Sequence, residues 1–282
     1  MTHLYFGDVS AKFSEDLAIK LLSSGADILE IGIPYSDPVS DGPVFQRACK
    51  DSLSNGITPL DVLKGIKTIR KKTRLRQGYG GQADLKIYLT SYFGPLFKTG
   101  ITKIIKMAED AGVSGLIIPD LPIEEQENFP EITLPIIQFA TVYSDELRLK
   151  KIISRSSDFI YCVALSGVTG DRVEFLKLEK FIKSIKSITD KKIYCGFGIK
   201  SAEDAARIVN AGAEGVIVGS AIAEIYQHVY PPDLAVRLSS SIRTRLTERS
   251  KEDLRISNAH ENRKEILKQI GDLITNIKNA IV

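Results

Sequence analysis

Two carboxylic acids in unlike surroundings are the residues of this chain best suited to acid–base chemistry. Glu30 lies in an apolar run, Ile28 to Ile33, that predicts a buried strand. Alternation along a strand puts Glu30 on the same face as Ile28 and Gly32. No basic residue accompanies it in this stretch, and a buried carboxyl group without a counter-charge has a raised pKa. An acid that keeps its proton near neutral pH can act as a proton donor.

The second carboxylic acid, Asp41, follows on a loop rich in Gly, Pro and Ser. A loop position is more solvated than a buried strand, so the carboxyl group of Asp41 is expected to be ionised. Two carboxyl groups with different environments are a pattern for acid–base catalysis. His3, His228 and His260 fall outside the predicted site, and the cysteines lack metal-ligand spacing. We therefore expect neither a Ser–His mechanism nor a metal centre.

The strand that carries Glu30 belongs to a repeating pattern. Residues 24–30, 111–117 and 211–217 each place a Gly between an amphipathic run and a β-rich run. That arrangement is typical of a helix end that leads into a strand, and its recurrence indicates βα units around a parallel sheet.

Eight such units can be traced, which predicts an α/β fold: a closed (βα)₈ or TIM barrel that forms a single domain over residues 1–282. The strands are predicted at Leu4–Phe6, Ile28–Ile33, Leu85–Thr90, Leu116–Ile118, Ile136–Phe139, Phe159–Val163, Ile193–Cys195 and Val216–Val218.

Two segments interrupt the pattern. Residues 74–83, rich in Gly and Arg, predict a surface insertion in an αβ loop, on the barrel face opposite the active site. Residues 229–259 are rich in Arg and Ser, but acidic residues interrupt the positive charge. A solvated surface excursion is therefore favoured over an RNA contact. A closing amphipathic helix is predicted at about residues 261–281.

Glycine-containing loops follow the last three strands, at the barrel end where active sites lie. They are Ser166–Gly170, Gly196–Gly198 and Gly219-Ser220, the last of which opens a helix. Any one of them could be an ordinary tight turn, but three together predict a cup of backbone N–H groups for a phosphate. Asp120 is a candidate hydrogen-bonding group behind the site. Aromatic residues at the same rim suit a flat aromatic substrate: Tyr92, Phe93, Phe139, Tyr161 and Phe197.

The overall composition excludes some classes of partner. The net charge is only +3, and hydrophobic residues make up 43% of the chain. This balance is that of a globular protein without a nucleic-acid partner. The sequence shows neither a signal peptide nor an apolar run that could span a membrane, so we expect a cytoplasmic protein.

The motifs resemble those of the tryptophan synthase alpha chain family. The likeness is carried first by LEIGIPYSDP at residues 29–38 with Asp41-Gly42-Pro43, and it covers nearly the whole barrel. The chain begins almost at strand 1, so the family's N-terminal helix is expected to be largely missing, and Val9 stands where the family usually has Pro. Further matching motifs are Gly7-Asp8, IPDLP at 118–122, SGVTG at 166–170, GFGI at 196–199 and VGSAI at 218–222.

The resemblance implies a lyase that cleaves indole-3-glycerol phosphate to indole and glyceraldehyde 3-phosphate. It implies no cofactor in this chain, and a partner beta chain that carries pyridoxal phosphate in an αββα complex. Two alternatives stay open: another phosphate-binding barrel, such as an isomerase or synthase, and a non-catalytic subunit that only activates the beta chain.

The resemblance also implies roles for individual residues. Glu30 would give a proton to C3 of indole, and Asp41 would accept the indole N–H. Tyr161 and Tyr92 would line the substrate pocket. Thr169 would help a lid to close and would position Asp41. The phosphate would be held by Gly170, Gly198, Gly219 and Ser220.

Overall fold

The computed structural model describes the backbone of residues 1–75, 85–163, 172–196, 198–230 and 249–282. Eight parallel strands pair in chain order. Their bounds are β1 Thr2–Tyr5, β2 Ile28–Gly32, β3 Lys86–Thr90, β4 Gly115–Ile117, β5 Ile136–Thr141, β6 Phe159–Val163, β7 Lys192–Gly196 and β8 Gly215–Val216.

The last strand returns to the first, which closes the sheet. Thr2 and Val218 form a parallel bridge. The His3 backbone N–H donates to the Val218 carbonyl at 2.9 Å, and the Val218 N–H donates to the Met1 carbonyl at 3.0 Å. The predicted (βα)₈ barrel is therefore confirmed.

Helices follow the strands around the outside. The side chain of Ser201 accepts from the Asp204 backbone N–H at 3.1 Å, as its capping motif predicts. A 3₁₀ turn lies at Gln126–Asn128. The helices are α1 Ala11–Ser23, α2 Pro43–Ser54, α3 Pro59–Leu75, α4 Phe93–Thr99, α5 Ile101–Asp110, α6 Glu146–Arg155, α7 Arg172–Lys186, α8 Ala202–Asn210, α9 Ser220–Val229 and α10 Arg249–Ile281.

The predicted helix-to-strand junctions are confirmed by backbone conformation. Gly25, Gly112 and Gly212 have positive φ angles of 104°, 76° and 113°. Residues with a Cβ rarely adopt these angles, whereas glycine ends a helix at little cost.

The two faces of β2 pack into different cores, as strand alternation predicts. Leu29, Ile31 and Ile33 lie in the large layer between strands and helices. Ile28 lies in the barrel interior, in a cluster with Tyr88, Ile117, Ile137 and Phe159. Glu30 and Gly32 share the inward face with Ile28, so the carboxyl group of Glu30 faces the barrel interior.

Several predicted boundaries are wrong. β1 begins at Thr2 rather than Leu4, and helices α2 and α4 form in segments where no helix is predicted. α10 begins at Arg249, within the predicted 229–259 excursion, and packs on α1, α8 and α9. The buried hydrophobic side chains in its described part include Ile266, Ile270, Ile274 and Ile277. Most of both predicted insertions, residues 76–83 and 231–248, lies outside the described residues.

None of the helices that the structure describes has the length and apolar character needed to cross a bilayer.

Candidate active site

A cavity of about 610 Å³ opens at the carboxyl ends of the strands. This is the end of a (βα)₈ barrel where active sites are found. The cavity is lined by residues from most of the strands, including His3, Tyr5, Glu30, Asp41, Thr90, Tyr92, Phe139, Tyr161, Gly198, Lys200, Gly219 and Ser220.

Glu30 lies on the cavity wall and is almost fully buried, at 1% exposure. The Thr90 hydroxyl donates to Glu30 Oε1 at 2.6 Å. The other oxygen, Oε2, has no hydrogen-bond partner among the described residues. Burial raises the pKa of Glu30 from its ordinary 4.5 to about 8, although the Thr90 hydrogen bond acts in the opposite direction. Glu30 is therefore a neutral acid at neutral pH, as predicted.

His3 also lies in the cavity, and the prediction that all three histidines fall outside the site is wrong. The strand starts earlier than the sequence indicated, and β1 pairs with β2 so that His3 is level with Glu30. The distance from His3 Nδ1 to Glu30 Oε1 is 3.5 Å. Burial lowers the pKa of His3 to about 3, so the imidazole is neutral.

Asp41 is held from one side by two phenols. The Tyr5 hydroxyl donates to Asp41 Oδ2 at 2.7 Å, and the Tyr92 hydroxyl donates to the same oxygen at 2.9 Å. The Ser40 backbone N–H donates to the Tyr92 hydroxyl at 3.0 Å, which orients that phenol. No hydrogen bond from the described residues occupies the other oxygen, Oδ1.

The surroundings of Asp41 are less solvated than the loop position predicted. Partial burial raises the pKa of Asp41, while the hydrogen bonds from Tyr5 and Tyr92 lower it. Asp41 is nevertheless the more exposed of the two acids. The predicted contrast between a buried acid and a more accessible carboxylate is present, but two phenols replace much of the water.

The glycine rim combines backbone and side-chain groups. Gly198 has a positive φ of 43°, and Gly219 is the N-cap of α9, whose first residue is Ser220. A Cβ on Gly219 would come within 2.6 Å of the Phe45 ring, so this position requires glycine. Lys200, which is not among the predicted site residues, adds a cation to the cavity wall, and its Nζ lies 3.0 Å from the Glu224 carboxylate. Thr169, Gly170 and Phe197 lie outside the described residues.

The predicted aromatic rim is only partly present. Tyr161 and Phe139 line the cavity, with ring centroids 4.9 Å apart. Phe93 instead packs against Phe129, with centroids 4.6 Å apart. Asp120 accepts a hydrogen bond from the Phe93 backbone N–H at 2.7 Å, at the start of α4. Asp120 thus stabilises this helix end rather than lining the cavity.

The fold and cavity define a (βα)₈-barrel protein with a buried acid and a phenol-held carboxylate beside a glycine rim. A model of the tryptophan synthase alpha chain family matches residues 1–250, and the chain belongs to that family.

Individual relatives agree with this assignment. A tryptophan synthase alpha chain of Carboxydothermus hydrogenoformans is 36% identical over 227 residues, which is 79% of this chain and 81% of the relative. The one from Prochlorococcus marinus is 31% identical, over 99% of this chain and 87% of the relative. The crystal structure of tryptophan synthase subunit alpha from Legionella pneumophila superposes with a TM-score of 0.76 at 27% identity, covering 99% of this chain and 91% of that one.

Proposed function

We propose that this alpha subunit cleaves indole-3-glycerol phosphate to indole and D-glyceraldehyde 3-phosphate in a retro-aldol reaction, late in tryptophan biosynthesis. The observation that carries the proposal is the state of Glu30. It is a buried, protonated acid on the cavity wall, and its Oε2 has no hydrogen-bond partner among the described residues. A neutral carboxylic acid with a free oxygen can give a proton to carbon C3 of indole, which retro-aldol cleavage requires.

Asp41 supports the same reaction from the indole nitrogen. Protonation at C3 turns the ring into a cationic indolenine, and a carboxylate at the N–H stabilises that charge. Tyr5 and Tyr92 bind Oδ2, so Oδ1 is the oxygen available to the indole N–H. The two acids thus divide the work: Glu30 supplies the proton, and Asp41 stabilises the charge that the proton creates.

The substrate's ring and phosphate fit different parts of the cavity. Tyr161 and Phe139 provide apolar contact for the indole ring. The backbone around Gly198, Gly219 and Ser220 suits the phosphate, because α9 begins there and no side chain among the described residues caps its first N–H groups. We assign Gly170 to the same phosphate cup and Thr169 to lid closure and the positioning of Asp41, both from the resemblance.

The partner and the cofactor follow from the family. The Legionella protein is called subunit alpha, and we propose that this chain likewise works with a beta chain that carries pyridoxal phosphate, in an αββα assembly. The alpha reaction uses proton transfer by side chains and needs no cofactor here. The described part of the chain holds no group of three His, Cys, Asp or Glu side chains suited to a metal ion. We place the enzyme in the cytoplasm.

The test is indole release from indole-3-glycerol phosphate by the purified chain, alone and with a beta chain. We expect slow turnover alone, faster turnover with the partner, and none in Glu30→Gln. Glu131→Gln, at an exposed position, is the matched control. Binding to the beta chain without turnover in either condition would indicate a purely activating subunit. Neither binding nor turnover would favour another phosphate-binding barrel.

A further inference from the structure

The cavity has to receive a negatively charged phosphate, yet most ionisable groups on its wall are acidic. Glu30, Asp41 and Glu224 line it, and Lys200 is the only lysine or arginine among the described lining residues. The Glu224 carboxylate would repel a phosphate unless a cation accompanied it. Resting on the function proposed above, we propose that Lys200 binds the phosphate of the substrate and that Glu224 is the counter-ion from which the phosphate takes it.

The position of the Lys200 ammonium group follows from helix α9. Glu224 lies four residues after Ser220, about one helical turn further along. Side chains of a helix lean towards its N-terminus, so the Glu224 side chain lies over the first turn of α9. Lys200 Nζ lies 3.0 Å from both carboxylate oxygens of Glu224. The ammonium group is therefore beside the turn whose backbone N–H groups we assign to the phosphate.

The backbone of Lys200 is held firmly, whereas its side chain is not. Ile199 before it is buried at 2% exposure, and Ser201 after it is the N-cap of α8. The Lys200 backbone N–H donates to Asp204 Oδ2 at 3.3 Å. The side chains of Lys200 and Glu224 are 45% and 42% exposed. Lys200 thus has a fixed base and a head group that can move between two anions.

Exchange of Glu224 for a phosphate is favourable on electrostatic grounds. An ion pair that is nearly half exposed contributes little to stability, because water screens it. A phosphate carries more charge than a carboxylate and has three acceptor oxygens, so it can accept from Lys200 Nζ and from backbone N–H groups at once. The phosphate is unchanged by cleavage of the carbon–carbon bond, so Lys200 should contribute to substrate binding and not to kcat.

A purely structural ion pair gives a different expectation. If Lys200 and Glu224 only joined the loop after β7 to α9, loss of either partner would have the same effect. A phosphate ligand and its competing counter-ion have opposite effects instead. Loss of Lys200 should weaken phosphate binding, and loss of the Glu224 charge should strengthen it.

The experiment measures binding of inorganic phosphate and of indole by calorimetry, together with KM and kcat for indole-3-glycerol phosphate. Lys200→Met should raise the phosphate Kd and the KM about tenfold, because a charge-assisted hydrogen bond is lost, with kcat changed less than about threefold. Lys200→Arg, which keeps the charge, should stay near wild type. Glu224→Gln should lower the phosphate Kd and the KM about threefold, because it removes a repulsive charge. Indole binding should be unchanged in all three.

An exposed ion pair on α6 supplies the matched controls. Lys150 Nζ lies 2.6 Å from Glu146 Oε1, and Lys150→Met and Glu146→Gln should change none of these quantities. Weaker phosphate binding in both Lys200→Met and Glu224→Gln would overturn the proposal, because the pair would then be structural. Unchanged phosphate binding in Lys200→Met would also overturn it and leave the lyase function standing. Wild-type protein that binds phosphate without cleaving indole-3-glycerol phosphate would overturn the proposed function, while the phosphate Kd values would still decide the role of Lys200.

Discussion

Glu30 and Asp41 lie within one cavity, yet they differ in burial and in the number of hydroxyl groups that donate to them. Glu30 is on a central strand, where burial keeps it protonated and one hydroxyl holds Oε1. Asp41 is on the following loop, where partial burial also raises the pKa, while two phenols hold Oδ2 and act in the opposite direction. In both cases the described residues bind one carboxyl oxygen and leave the other without a hydrogen-bond partner. Two identical functional groups thus acquire different chemistry from their surroundings.

The largest expected effect comes from removing the buried acid. Under the proposed mechanism, Glu30→Gln should reduce indole release by at least about 1,000-fold, because glutamine has no acidic proton to give to C3 of indole. The same change should stabilise the fold in alkaline solution. Folded Glu30 has a pKa of about 8 against an ordinary 4.5, so between these pH values the folded chain keeps a proton that the unfolded chain releases.

The sign of the pH effect follows from that difference. The contribution of Glu30 to stability should fall as pH rises from 4.5 towards 8, by an amount on the order of a few kcal/mol. His3, whose pKa is lowered to about 3, adds a slope of the opposite sign below its ordinary pKa of 6.5. Urea unfolding at pH 5.5 and 8.5 measures this, and Glu30→Gln should remove Glu30's part of the slope. Glu131→Gln should keep the wild-type slope. A variant with an unchanged slope would show that Glu30 is ionised in the folded chain.

Removing the charge at the other acid should have a smaller effect. Asp41→Asn keeps the size of the side chain but loses the carboxylate that we propose stabilises the indolenine, so kcat should fall about 100-fold. Steady-state indole release measures it. Because Asn remains polar, binding of product indole should weaken much less than turnover. A loss as large as that of Glu30→Gln would contradict the division of roles.

The contrast between the two acids was partly visible in the sequence. Alternation across Ile28 to Ile33 predicted that Glu30 faces inward, since period 2 is a local property. The phenols on Asp41 were not predicted, because Tyr5 and Tyr92 lie 36 and 51 residues away along the chain. Such contacts depend on how strands and loops come together in three dimensions.

Two further errors have local causes. His3 is predicted outside the site, with the first strand predicted from Leu4, whereas β1 starts at Thr2 and places His3 in the cavity. α2 was missed because its approach is rich in Gly, Pro, Ser and Asp, residues typical of loops. Its start could have been recognised from Pro43 at the first helical position, after Gly42.

The hydrogen bond at Glu30 can be tested by its effect on pH dependence. Thr90→Val removes the hydroxyl that donates to Oε1 and keeps the shape of the side chain. That hydrogen bond lowers the pKa of Glu30, so its loss should move the alkaline limb of kcat up by about half to one pH unit. Thr68→Val, on helix α3, is the matched control. A downward shift would show that Thr90 stabilises the protonated acid instead.

The smallest expected effect is an upward shift of the acid limb of the kcat–pH profile, through a raised pKa of Asp41. Tyr5→Phe removes one of two phenols on Oδ2, and that hydrogen bond lowers the pKa of Asp41. The acid limb of kcat should therefore move up, by about half a pH unit, with activity at pH 8 changed by only a few-fold, because Tyr92 still holds the carboxylate. Tyr143→Phe, at an exposed position, is the control.

The acid and alkaline limbs of the kcat–pH profile together distinguish the titration of Asp41 from that of Glu30. Thr90→Val should move only the alkaline limb, and Tyr5→Phe should move only the acid limb, since each hydroxyl touches one carboxyl group. If Tyr5→Phe instead moved both limbs, the two acids would titrate as a coupled pair, and separate roles could not be assigned to them. Adding Tyr92→Phe to Tyr5→Phe should enlarge the shift on the acid limb alone, because it removes the second donor from the same oxygen.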